Sequence, residues 1–317
     1  MSDIIFSGIH IDRQSTLRSD SVALATARAD PATRYMAIWH GRCLVIETHV
    51  ALLTAEEVSA CVENLEHCTF LGKRGDGYIF ALAIETPDEP DFGANSQFIG
   101  LREISTRLEA SDASLAAFAR AMVAWQNTHQ HCGICGTHNN ASEGGFVMAC
   151  TDSACGHRSF PRLDPAVIVL VHHNDHALLG RQANWPERRF STIAGFVEPG
   201  ESLEDAVCRE VAEETNIKVG ASTYIASQPW PFPAALMIGF HAEGISTDIK
   251  LNDKELEEAH WVSRQDIASG DIILSPKISV AYHLIETWFN QYDGPTLAEL
   301  NLPEVPFRVP RPIDRVK

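Results

Sequence analysis

The sequence predicts an α/β protein of two domains with a small metal-binding ribbon between them, and three observations carry that prediction. The chain has 317 residues, enough for two ordinary domains. Strand-like apolar runs alternate with amphipathic helical stretches both before residue 127 and after residue 161. Two close pairs of cysteines stand between those regions. The expected division is an N-terminal α/β domain over 1–127, a ribbon over 128–160, a second α/β domain over 161–292 and a Pro-rich tail over 293–317.

Hydrophobic residues make up 45% and charged residues 21% of the chain, which fits a globular protein and excludes a disordered one. MSDIIFSGIHIDRQS at the start has no basic stretch followed by an apolar core, and no apolar run approaches the roughly 20 residues of a membrane span. A cytoplasmic protein with no membrane partner is therefore expected. The net charge of −17 repels long polyanions and argues against indiscriminate nucleic-acid binding. An anionic small substrate then needs a local cation, which a divalent metal ion can supply.

In chain order, Met36 to Glu47 and Tyr78 to Glu85 read as strands, with Gly72, Gly75 and Gly77 between them. From Ser114, the spacing of Leu115, Phe118, Met122 and Trp125 predicts a helix with one apolar stripe. Beyond the cysteines, Ala166 to Val171 reads as a buried strand, His172 to His176 as a turn and Ala177 to Gly180 as the returning strand. Ile278, Ala281, Leu284, Ile285 and Phe289 predict a terminal amphipathic helix.

Cys132 and Cys135, then Cys150 and Cys155, form two pairs separated by 14 residues. That arrangement folds two knuckles around one tetrahedral zinc. With four protein ligands no coordination position stays open, so Zn²⁺ held there is structural. The second pair is wider than usual, and His131, His138 or His157 could replace a cysteine. Cys43, Cys61, Cys68 and Cys208 are scattered, and no disulfide framework is expected.

The richest stretch runs from Ala194 to Ile217. Its glycines and Pro199 predict a loop, and Ser202 with Asp205 three residues later predicts a capping-box helix start. Leu203, Val207 and Val211 then share the buried face, while Glu210 and Glu214 project together with Glu213 beside them. A solvated acidic face is the plain reading of such a run. However, several carboxylates repel one another, and Arg209 is the one cation within the run, so an all-oxygen site for Mg²⁺ or Mn²⁺ is the alternative. Arg209 is expected to orient Glu201 and Glu213, tying loop to helix.

The whole pattern, Gly195, five residues, Glu201, seven residues, then Arg209-Glu210-Val211-Ala212-Glu213-Glu214, resembles the Nudix box. Asn216 departs from it where glycine is usual; Asn tolerates the left-handed backbone of a helix end. The resemblance implies a Nudix α/β/α sandwich that hydrolyses a nucleoside diphosphate linked to another group. It also implies catalytic roles for Glu201, Arg209, Glu210, Glu213 and Glu214. Glu255, in Asp253-Lys254-Glu255-Leu256, joins Glu210, Glu213 and Glu214 as a metal ligand by the same resemblance.

Downstream, three prolines in Ser227-Gln228-Pro229-Trp230-Pro231-Phe232-Pro233-Ala234-Ala235 stiffen a segment with two aromatics, suited to stacking on a flat base or to packing in a kinked edge strand. This run followed by Leu236-Met237 is similar to the signature of the NADH pyrophosphatase (NudC-type) subfamily, which also carries the zinc ribbon. Thr69 to Gly72 and Leu115 to Cys135 resemble that subfamily's N-terminal domain. The subfamily resemblance implies substrate contacts from Gln228 through Ala235, from Phe160, from backbone at Ala194 and from Ala281. Ala235 and Phe160 stand where the subfamily often has Ser and Tyr, and each loses a hydroxyl.

The resulting expectation is hydrolysis of NADH or NAD⁺ to nicotinamide mononucleotide and AMP by a homodimer. Removal of an NAD cap from RNA 5′ ends is the same chemistry on another substrate. A non-catalytic nucleotide-sensing module is the reading from another class; it is expected to lose box glutamates, and this chain retains them.

Overall fold

The computed structural model describes residues 4–8, 10–59, 61–62, 65–93, 95–252, 254–300 and 302–303. Most of the Pro-rich tail, 304–317, lies outside the described residues, as does Asp253. Two compact units emerge: one of Phe6–Leu163 with Trp230–Ala234, the other of Met1–Ile5, Asp164–Pro229 and Ala235–Lys317.

The first unit contains α1 (Ser21–Ala29), β1 (Arg34–Trp39), β2 (Arg42–Ile46), β3 (His49–Val50), α2 (Ala55–Ser59), β4 (Thr69–Arg74), β5 (Gly77–Ile84), β6 (Ser96–Gly100), α3 (Leu101–Ile104) and α4 (Ala110–Thr128). Its sheet has the order β3-β2-β1-β5-β4, with β6 paired to β2. The two apolar runs read from the sequence become β1, β2 and β5. Tyr35, Phe70 and Phe80 are wholly buried at the centre of its core.

Helix α4 begins at Ala110, four residues before the position read from its apolar stripe. The extra turn buries Asp112, whose carboxylate accepts from Arg74 Nη1 at 2.9 Å and from the Val50 backbone N–H at 3.1 Å. A buried charge is tolerated when it is paired and hydrogen-bonded in this way. A three-stranded ribbon follows, β7 (Asn139–Ser142), β8 (Val147–Cys150) and β9 (Arg158–Ser159).

The second unit contains β10 (Asp164–His173), β11 (His176–Arg181), β12 (Ile193–Phe196), α5 (Leu203–Thr215), β13 (Val219–Trp230), β14 (Ala235–Gly244), β15 (Glu258–Ser263), α6 (Arg264–Ala268) and α7 (Val280–Phe289). Its sheet runs β13-β14-β10-β11-β15, with β12 paired to β10. Side chains alternate across a strand, so Val167, Val169 and Val171 of β10 enter the cluster beneath α5, while Ile168 and Leu170 enter the one beneath α7. A helix thus covers each face, and the unit is an α/β/α sandwich. Val207 and Val211 of α5 are fully buried, each worth about 1.5–3 kcal/mol relative to exposure.

Candidate active site

The carboxylate helix is fixed at both ends by its own sequence. Ser202 Oγ accepts from the Asp205 N–H at 3.2 Å, and the Asp205 carboxylate accepts from the Ser202 N–H at 3.2 Å, completing the capping box. The helix stops at Asn216, which adopts φ 64°, donates its N–H to Ala212 O and donates through Nδ2 to Asp248 O at 3.1 Å. Asparagine therefore performs the left-handed termination that glycine would.

Pairing of β12 with β10 sets Gly195 opposite Val167. A Cβ at position 195 would fall inside the carboxyl group of Glu210. The box thus begins with glycine because a buried carboxylate lies directly on that backbone. A Gly195→Ala protein is expected to push Glu210 out of place and to lower by at least about tenfold the rate of any reaction that needs this carboxylate in position. Steady-state kinetics beside a melting curve would check this; turnover within about twofold of the parent would contradict it.

Arg209 spans loop and helix. It grips Glu201 with Nη2 at 2.6 Å and Nε at 3.0 Å, donates to Phe196 O at 2.8 Å, and turns Nη1 to Glu210 at 2.9 Å and Glu213 at 3.0 Å. Glu201, with the Glu210 and Glu213 hydrogen bonds, holds the guanidinium well above its ordinary pKa. In return Arg209, helped by the Glu198 N–H, holds Glu201 below the usual carboxylate value.

Glu210 behaves oppositely. Burial raises its pKa, Arg209 only partly offsets this, and the charges of Glu213 and Glu255 raise it further. The residue is 9% exposed and Glu214 is 4% exposed, whereas Glu213 and Glu255 face solvent. A groove of about 550 Å³ lies beside Arg209, Ala212, Glu213 and Asn252. The structure therefore gathers carboxylates whose charge Arg209 does not fully neutralise, a donor set suited to a hard divalent ion.

The four ribbon cysteines come together. Their sulfurs all lie within 4.8 Å of one another and are the one such cluster of candidate metal ligands among the described residues. Cys132 and Cys155 are 3.8 Å apart and Cys135 and Cys150 are 3.4 Å apart. A tetrahedral zinc with bonds of about 2.3 Å separates its sulfurs by about 3.8 Å. His131, His138 and His157 do not join the cluster. The box glutamates are not drawn in as tightly, which accords with Arg209 Nη1 sitting between Glu210 and Glu213.

The remaining sequence-predicted residues fall in several environments. Ala194 and Ala281 share the packed cluster on the α7 face, and Ala281 is 4% exposed. Gln228 is buried with its amide committed: Nε2 donates to Ile5 O at 3.1 Å and Ile278 O at 3.0 Å, and Oε1 accepts from the Val280 N–H at 3.0 Å. It clamps the edge strand β13 to the start of α7. Pro229 and Pro233 are exposed, Pro231 is buried, and Ala234 and Ala235 are half-buried. Phe160 is 61% exposed, with the Arg158 guanidinium 5.7 Å from its ring.

Trp230 and Phe232 meet edge to face at 5.1 Å, and Phe6 packs against both. Arg102 and Arg120 lie over the Phe232 ring at 4.3 and 4.9 Å, and Arg120 also donates to Pro231 O and Gly41 O. Sequence reasoning missed Phe6, Arg102 and Arg120. No local pattern announces them, because each lies more than a hundred residues from the segment it holds.

A family model described as NUDIX domain matches residues 162–281, and one described as NADH pyrophosphatase-like rudimentary NUDIX domain matches 32–125. The chain is 35% identical over 301 residues to the NAD-capped RNA hydrolase NudC of Mycobacterium bovis, covering 90% of this chain and 94% of that one. It is 32% identical over 337 residues to the NAD-capped RNA hydrolase NUDT12 of Pongo abelii, covering 89% of this chain and 72% of the relative. A solved NUDIX hydrolase from Nitrosomonas europaea aligns over 51% of this chain and 91% of its own, at 21% identity and a TM-score of 0.43.

Proposed function

The chain belongs to the Nudix hydrolases of the NudC type, and from that premise we propose that it hydrolyses the pyrophosphate of NADH and NAD⁺, giving nicotinamide mononucleotide and AMP. The observation that carries the proposal is the buried Glu210 carboxylate on Gly195, raised in pKa by burial and by neighbouring Glu213 and Glu255. Arg209, already shared among Glu201, Glu210 and Glu213, offsets that shift only in part, and a divalent cation would offset the rest.

Glu210, Glu213, Glu214 and Glu255 would hold Mg²⁺ or Mn²⁺. Bound there, the ions supply charge neutralisation on the pyrophosphate and a water of lowered pKa. Glu201 and Arg209 fix the approach of loop to helix. A box glutamate accepts the proton of the attacking water, and the α5 packing against β10 keeps that glutamate in position. In this reading the substrate contacts include Phe160, 61% exposed, and the segment from Gln228 to Ala235, in which Phe6, Arg102 and Arg120 already hold Trp230 and Phe232. Backbone at Ala194 and the side chain of Ala281 belong to the same reading by resemblance, Ala281 being buried at 4% exposure in the α7 cluster.

The ribbon would hold one structural Zn²⁺ through Cys132, Cys135, Cys150 and Cys155, whose sulfur spacing suits it. A homodimer acting in the cytoplasm belongs to the same reading. No helix among the described residues is long and apolar enough to cross a membrane.

A second substrate rests on the relatives, both named NAD-capped RNA hydrolases. Removal of an NAD cap breaks the same bond, and a single terminal nucleotide can enter a pocket despite the net charge of −17. Turnover of free NADH and of NAD-capped RNA, each across several salt concentrations, tests the pair. Activity on both is expected, with only the RNA reaction falling steeply as salt rises. Failure to cleave either would refute the proposal.

A further inference from the structure

The unit containing Phe6–Leu163 has a cavity of its own, of about 620 Å³, within the size range of small-molecule sites. It is lined by Ser114 and Phe118 of α4, by Lys73 to Gly75 at the end of β4, and by Gly8 and His10 to Arg13. These segments are tied together. Asp12 and Lys73 exchange backbone hydrogen bonds of 3.0 and 2.7 Å, and the Arg13 guanidinium lies 3.9 Å above the Phe118 ring. Arg13 is exposed, and this contact stacks its guanidinium on Phe118.

The charges here run against those of the chain. In a molecule of net charge −17, Arg13, Lys73 and the adjacent Arg18 form no ion pair among the described residues, and Arg18 stacks 3.5 Å above Phe146 while donating to Arg13 O at 3.5 Å. Arg74 differs, since Asp112 neutralises it at 2.9 Å. Asp12, the acid of the lining, accepts from the backbone and side chain of Gln14. Burial, with repulsion from Arg13, holds the Arg18 guanidinium below its ordinary pKa. Arg13 and Arg18 repel one another, and a bound anion would offset that repulsion.

Arg13, Lys73 and Ser114 all line this cavity, with Lys73 Nζ 5.8 Å from the Tyr78 ring, and a guanidinium, an ammonium group and a hydroxyl suit the several oxygens of a phosphoryl group. The upper face of the stacked Arg13 also suits a base. We propose that this cavity binds a phosphate group of a nucleotide, with Arg13 and Lys73 contacting the phosphate and Ser114 Oγ donating to it. The unit matches a family model described as NADH pyrophosphatase-like rudimentary NUDIX domain, and the role proposed for this cavity is binding.

Two sources share this chemistry, a free mononucleotide and a phosphate within an RNA strand. The test measures equilibrium binding of AMP and of a short uncapped oligoribonucleotide to the full chain at low salt. It compares the parent with Arg13→Glu, Lys73→Glu, the milder Arg13→Gln, and Arg42→Glu as a charge-matched control, whose side chain is 53% exposed. Arg13→Glu and Lys73→Glu are each expected to weaken binding about tenfold or more, Arg13→Gln less in the same direction, and Arg42→Glu less than about twofold. Melting temperature and NADH turnover should stay near the parent's. Loss for both probes assigns a mononucleotide phosphate; loss for the oligonucleotide alone assigns the strand. If neither probe binds the parent, if Arg13 and Lys73 variants bind normally, or if Arg42→Glu does equal harm, the proposal fails. NADH turnover is read separately, so its absence would refute the assigned reaction without touching this cavity.

Discussion

A Glu210→Gln protein is expected to hydrolyse NADH roughly 10²–10³-fold more slowly than the parent at saturating metal, while melting no lower in metal-free buffer. Glutamine can still accept from Arg209 Nη1 in the place of the carboxylate that now does so at 2.9 Å, so loop and helix stay joined. What is lost is a charge. The Glu210 pKa is raised in the folded protein, so its protonated form is the one folding favours. That contribution is present below the unfolded value and disappears as pH rises through the folded one. At neutral pH the folded protein carries the cost of the ionised group, and the neutral amide removes it. An inactive but undiminished fold separates a metal ligand from a structural residue, whereas parental turnover would remove Glu210 from the catalytic set.

If the ribbon holds zinc as proposed, a Cys132→Ser protein is expected to bind none and to lose the order of the ribbon. Zinc binding by small closed cysteine sites supplies on the order of 10 kcal/mol of folding free energy, and Cys132 is the buried member of the four, at 3% exposure. Zinc content should fall from about one per chain to near zero, and limited proteolysis should open the chain within 128–160. Full zinc content with parental proteolysis would contradict a four-cysteine site. Because the site is closed by protein ligands, no catalytic water is expected there.

The parts of this molecule legible in the sequence are those specified by neighbours in sequence. Helix α5 announces itself through Ser202 and Asp205, through Val207 and Val211 four apart, and through Asn216 at its end. The β10–β11 hairpin follows from one buried run and its return, although the turn read at His172 to His176 narrows to Asn174 and Asp175, because His172 and His173 pair with Ala177 and His176. Sulfur convergence was legible because cysteine spacing constrains two short knuckles.

What remained hidden depends on distant partners. The first turn of α4 exists beside Arg74 and Val50, which Asp112 reaches across the sheet. Gln228 looks like an exposed polar residue before a proline, yet its amide is spent on Ile5, Ile278 and Val280. Trp230 and Phe232 were legible as a stiffened aromatic pair, but not the Phe6, Arg102 and Arg120 that hold them. The Gly195 requirement was visible as a pattern; its cause, the Glu210 carboxyl group lying on it, required the packing of α5 against β12.

The most direct measurement is a hydrolysis panel of NADH, NAD⁺, ADP-ribose and diadenosine polyphosphates with the full chain, with and without Mg²⁺ or Mn²⁺, products resolved by chromatography. The predicted result is metal-dependent release of nicotinamide mononucleotide and AMP in equal amounts, with kcat/KM for NADH above that for ADP-ribose. Metal-independent turnover, or ADP-ribose ranking above NADH, would contradict it.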